Sequence, residues 1–193
     1  MENIIIISGN KSATETISDF IREAFGSTVR TAETASMARD IFNSDAPCEL
    51  ALIFSPLPDE TGTALAEYII ENTASNCIFI AKSETAEKLR EHNEKSGIIT
   101  ISRPFNKSFL YQTIKIVEIA MNRSYKLYEE TVRLEKKIDE IRLIDKAKFM
   151  LMQYRNMTET EAHSYLEQYA MNHRKRKSIS ASEIIDRINE QYL

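Results

Sequence analysis

His173-Arg174-Lys175-Arg176-Lys177 is the densest cationic run of this chain, and planar side chains stand near it: His163, Tyr165 and Tyr169 before it, Tyr154 further back with Lys148. Cations at this density neutralise phosphates, and planar groups stack on bases that a duplex has not already stacked. The set is therefore what a surface for single-stranded RNA loops requires. A solvated connection between two helices has the same composition, so residue types alone leave both readings open. The charge partition is informative. Residues 142–193 hold 9 Lys and Arg against 7 Asp and Glu, net +2, whereas residues 1–141 hold 16 against 22, net −6.

Other chemistry is poorly supplied. Ser8-Gly9-Asn10-Lys11 matches the S-x-x-K of serine acyl-transferases, but the companion motifs S-D-N and K-T-G are missing. His92, His163 and His173 are scattered without carboxylates or cysteines at ligand spacing, so no metal is expected. With four glycines there is no glycine-rich phosphate loop. Cys48 and Cys77, each in or beside an apolar run, are expected to be buried reduced thiols. Neither enzyme activity nor a cofactor is expected. No leader or membrane-length apolar segment is seen, which predicts a cytoplasmic protein.

The cationic run has to be held by helices. Leu143, Ile144, Ala147, Met150, Leu151 and Tyr154 form one apolar stripe ending near Arg155 and Asn156. Thr158-Glu159-Thr160-Glu161 is a capping box opening a second helix with Ala162, Tyr165, Leu166, Tyr169 and Ala170 on its stripe. Ser180-Ala181-Ser182-Glu183 is a second such box, before Ile184, Ile185 and Ile188. Three short amphipathic helices over 142–193 must fold on one another, with Met150, Leu151, Leu166 and Met171 expected in the core.

The segments Ala147-Lys148-Phe149-Met150-Leu151-Met152, Thr158-Glu159-Thr160-Glu161-Ala162, Tyr165-Leu166 and Ala170-Met171 resemble, in register, the ANTAR domain of transcription antitermination regulators. Phe149 replaces the family's usual glycine, and His163 stands where an aromatic is common. The resemblance implies a partner, small hairpins in nascent leader RNA, whose binding prevents a terminator from forming. On that basis Lys148, Tyr154, His163, His173, Arg174, Lys175, Arg176 and Lys177 are the candidate RNA-binding residues, with Tyr165 and Tyr169 leaning to the core. The alternative is a DNA-binding or protein-binding adaptor. The glutamates of the second helix, Glu159, Glu161 and Glu167, argue against its insertion in a major groove.

Earlier in the chain, apolar runs at 3–7, around Val29, at 50–54, 77–81 and 97–101 alternate with helical stripes at 12–25, 35–42, 64–70 and 84–92. Five short buried strands alternating with helices predict an α/β doubly wound parallel sheet over residues 1–120. Leu57-Pro58 with Gly62, and Gly97 with Arg103-Pro104-Phe105, resemble the receiver domain of bacterial response regulators, a flavodoxin-like fold. That family's chemistry needs a carboxylate nucleophile, two carboxylates for Mg²⁺ and a lysine. Its phosphoacceptor position holds Phe54, its acidic pair Ser8 and Gly9, its switch positions Ala81 and Thr100, and its lysine position Arg103. The resemblance thus implies a pseudo-receiver that is not phosphorylated, and Asp59 and Glu60 are expected to be solvated loop acids. A regulatory protein or small effector is the expected partner of this domain.

From 108 to about 144 the chain has neither Pro nor Gly, and Val117, Ala120, Leu127, Leu134, Ile138 and Ile141 recur at alternating three- and four-residue spacing, broken by Ser124 and Thr131. With charged flanks this predicts a long coiled-coil helix and a parallel homodimer.

Overall fold

The structure, a computed structural model, describes residues 1–44 and 48–192. Leu193, the last residue of the expected C-terminal domain, lies outside the described residues. The chain forms two compact units, residues 1–121 and 122–193.

The first unit is a five-stranded, all-parallel sheet ordered β2-β1-β3-β4-β5. Its strands are β1 (Asn3–Ile7), β2 (Thr28–Ala32), β3 (Leu50–Phe54), β4 (Asn76–Lys82) and β5 (Ile99–Arg103). Between them run α1 (Lys11–Phe25), α2 (Ala35–Asn43), α3 (Thr63–Asn72) and α4 (Ser83–Lys95). β1 and β3 are buried on both faces, as their unbroken apolar runs predict. Alternate side chains feed two cores. Ile5, Ile7, Ala51 and Ile53 pack with Ala35, Ala38, Leu65 and Ile69 of α2 and α3. On the other face Ile4, Ile6, Leu52 and Phe54 pack with Ile21 of α1 and with Leu110, Ile114 and Val117.

The last three belong to α5 (Lys107–Arg155), a single helix of 49 residues. Sequence reading divides it near residue 144, but with no Pro or Gly inside it nothing interrupts the hydrogen-bond ladder. The expected first short helix of the C-terminal bundle is therefore the end of α5. It closes at Asn156, which takes the left-handed conformation with φ 52°.

Several local expectations shift. α1 begins at Lys11 rather than at 12, its cap being Asn10, whose Oδ1 accepts from the Ala13 N–H at 3.1 Å. β5 begins two residues later than expected because Gly97, at φ 77°, belongs to the preceding turn. Val117, placed on the dimer seam by its spacing, is only 3% exposed and lies in the core of the first unit. Cys77 is buried but Cys48 only partly so. No described helix is long and apolar enough to cross a membrane.

Candidate nucleic-acid interface

In the second unit the end of α5 packs with α6 (Glu159–Asn172) and α7 (Lys177–Tyr192). Ala147, Met150 and Leu151 meet Ala162, Leu166 and Tyr169 of α6 and Ala181, Ile184, Ile185 and Ile188 of α7. Tyr154 and Tyr165 pack at the edge of this core. The capping box at Thr158 is formed: its Oγ1 accepts from the Glu161 N–H, and Glu161 accepts from the Thr158 N–H at 2.8 Å. Those contacts hold the Glu161 carboxyl below the ordinary glutamate range. The second expected box does not form, because α7 starts three residues earlier, at Lys177, and Ser180 is buried inside the helix with its hydroxyl unpartnered.

The cationic run is thus a tight α6–α7 turn. The N–H of Lys175 reaches back to Ala170 O and that of Arg174 to Met171 O, the two bonds of a Schellman closure. Arg174 occupies its left-handed position at φ 52°, where glycine is usual. Carboxylates temper part of the charge. Lys175 pairs with Glu183 and Lys177 with Glu167, and each lysine pulls its glutamate below the ordinary range. Arg174 and Arg176 are exposed and make no ion pair among the described residues. His173 Nδ1 donates to Tyr169 O at 2.8 Å, and its ring lies on the Tyr169 ring with centroids 4.1 Å apart. Tyr169 is buried, its hydroxyl bonded to Glu183.

Lys148 is bridged rather than free, 2.9 Å from Asp145 and 3.4 Å from Glu159, and the Asp145 hydrogen bond raises it above the ordinary lysine range. His163 lies 3.3 Å from Glu167, and His92 of the first unit 2.6 Å from Glu67. His163 meets its carboxylate at i,i+4 spacing on one helix and His92 meets one from a different helix, but no group of three metal-ligating side chains gathers among the described residues.

Sequence reasoning misplaced or missed four side chains here. Met171, expected in the core, is 76% exposed, and Phe149, 62% exposed, stands out on α5. Phe149 falls off the stripe formed by Ala147, Met150, Leu151 and Tyr154, which is the signal that marks it as outward-facing. Arg155 lies over the Tyr165 ring at 5.7 Å and Arg187 over the Tyr169 ring at 5.2 Å. No spacing rule links these pairs, because each joins two different helices.

In the first unit Ser8, Gly9, Phe54 and Arg103 converge at the carboxyl ends of β1, β3 and β5 and line one hollow. A Cβ at Gly9 would stand 2.7 Å from Pro58 Cγ, so an acid cannot be restored there without movement. Arg103 donates from Nη2 to Ser55 O. Ala81 is buried in the opposite core, and the Thr100 hydroxyl accepts from Asn93 Nδ2 at 2.9 Å. Asp59 and Glu60 are not merely solvated. Asp59 accepts from the Ala35 and Ser36 N–H groups at the start of α2, which holds it below the ordinary aspartate range. Glu60 accepts from the Leu65 N–H and pairs with Arg39 at 2.9 Å.

Comparison with known proteins agrees with both halves. Residues 132–185 match the ANTAR domain family. Among solved structures, a two-component response regulator from Clostridium difficile is 20% identical and superposes with a TM-score of 0.57, over 63% of this chain and 99% of that one. A response regulator receiver domain protein from Methanospirillum hungatei is 21% identical with a TM-score of 0.56, over 64% and 98%. One from Clostridium thermocellum gives 16% and 0.56, over 66% and 99%. At these identities the likeness shows the receiver fold. No curated protein sequence matches significantly.

Proposed function

We propose that this chain, in which a receiver fold precedes an ANTAR domain at 132–185, is a non-enzymatic cytoplasmic regulator that binds hairpins in nascent leader RNA and keeps a terminator from forming. The match to the ANTAR family is the observation that carries the reading, and the exposed Arg174 and Arg176 at the α6–α7 turn supply cations for phosphates. Lys148, Tyr154, His163, His173, Lys175 and Lys177 complete the proposed surface. Lys175 and Lys177 exchange their present carboxylates for RNA phosphates, and Lys148 leaves Asp145 and Glu159 for loop bases. Control comes from a regulatory protein or small effector rather than aspartyl phosphorylation, since Phe54, Ser8 and Gly9 replace the groups that phosphoryl transfer requires. The working form is a homodimer paired along α5.

The test is filter binding of the full chain to hairpin RNA and to duplex DNA at several salt concentrations. RNA is expected to bind more tightly, with a steep loss on raising salt. Neutralising residues 174–177 should flatten that slope on every hairpin, whereas Lys148→Ala should cost more on one loop sequence than another. Equal affinity for duplex DNA would favour the DNA-binding adaptor instead.

A further inference from the structure

We infer that the first unit binds a small carboxylate with an apolar body in the cleft beside Phe54, and that this is the effector; the inference rests on the proposed control by an effector. Two hollows of about 500 and 290 Å³ open at the carboxyl ends of the strands and share Phe54 and Arg103, and a third of about 430 Å³, between α1 and the start of α5, shares Phe105 with the larger. Strand order reverses between β1 and β3, and ligands of open α/β sheets sit at such a reversal, outside the strands' carboxyl ends. Volumes of roughly 300–1,000 Å³ suit small molecules.

The lining states the chemistry. Phe54 and Phe105, with ring centroids 6.5 Å apart, and Ile17 form the apolar wall. Lys82, Arg103 and Lys107 stand around it, and no Asp or Glu lines any of the three hollows among the described residues. That is notable in a segment carrying net −6 over residues 1–141. Neither lysine forms an ion pair among the described residues; Lys107 instead lies 5.6 Å from the Phe20 ring centroid. Arg103 spends one Nη2 proton on Ser55 O, while its Nε is buried with no acceptor. The remaining Nη protons of Arg103, a residue that lines two of the hollows, can give a carboxylate charge-assisted bonds. A phosphate dianion has no apolar body to cover Phe54, Phe105 and Ile17, so the lining favours a carboxylate that carries one. Lys107 and Leu110 of the first turns of α5 line the same cleft, so a bound molecule touches the helix that carries the seam.

Full-length protein is titrated with phenylacetate, benzoate and 3-methylbutanoate, followed by calorimetry and ligand-observed NMR, with phenylacetamide and acetate as neutral and body-less controls. At least one apolar carboxylate is expected to bind, with phenylacetamide and acetate at least tenfold weaker than the best of them. Arg103→Gln should abolish binding. The exposed double variant Lys82→Gln/Lys107→Gln, which spares the core, should weaken it at least threefold. Failure of all three carboxylates, equal binding of the amide, or undiminished binding by the lysine variant overturns the inference. RNA affinity is measured separately on the same preparation. Intact RNA binding without carboxylate binding removes the effector site alone, whereas carboxylate binding without RNA binding removes the antiterminator reading alone.

Discussion

Arg174 holds a conformation that costs a side-chain-bearing residue on the order of 1 kcal/mol, yet it is one of two arginines in the turn without a carboxylate partner among the described residues. Stability and binding should therefore respond to it with opposite sign. Arg174→Gly is expected to raise the resistance of the second unit to denaturant by up to about 1 kcal/mol while weakening hairpin RNA binding, with a salt slope lower by roughly 0.7. A gain in both properties would show that position 174 serves only to close the helix. Side chains of this kind were half legible in the sequence. The run 173–177 announces charge, but which members are neutralised depends on Glu167 and Glu183, ten and eight residues away across a turn. Met171 was misjudged because it neighbours the buried Ala170 on a helix whose stripe ends one residue earlier. Asp59 looked like a loop acid because the helix start it caps lies 24 residues back.

At the scale of elements, the alternation of apolar runs with helical stripes was sufficient to give the sheet, although only β1, β3 and β4 are covered on both faces; β2 and β5, expected to be buried too, are edge strands and largely half-buried or exposed. What the periodicity could not give was the joint between the long helix and the bundle, because two apolar stripes on one helix differ only in phase. The seam itself divides. Val117 belongs to the first unit's core, whereas Leu127, Leu134, Ile138 and Ile141 are exposed, as are Tyr128 and Val132 among them. An apolar row of this extent in water is the physical ground for a second copy. Leu134→Lys with Ile138→Lys is expected to give folded monomers in sedimentation, because neither side chain is needed inside its own unit. Val117→Lys should instead destabilise the first unit by several kcal/mol, since it buries an unpaired charge. A still dimeric double variant would move pairing away from α5.

For the molecule as a whole, a receiver fold precedes a segment that matches the ANTAR family, and the proposed reading is that the first does no phosphoryl chemistry. Incubation with acetyl phosphate and Mg²⁺ should leave both the mass and the RNA affinity unchanged. Phe54→Asp alone should not restore acceptance, because Ser8 and Gly9 supply no carboxylate for the metal and Pro58 crowds position 9. A stoichiometric phosphoryl adduct on the unaltered chain would overturn control by an effector. The continuity of α5 has a further consequence. Successive residues turn by about 100°, which sets Leu134, Ile138 and Ile141 close to half a turn away from Ala147, Met150 and Tyr154. The proposed pairing with a second copy and the packing of α6 and α7 thus draw on opposite flanks of one rod, and their angular offset is set by residue count. One residue inserted between Ile141 and Leu143 would remove no side chain yet rotate the two flanks against each other by about 100°.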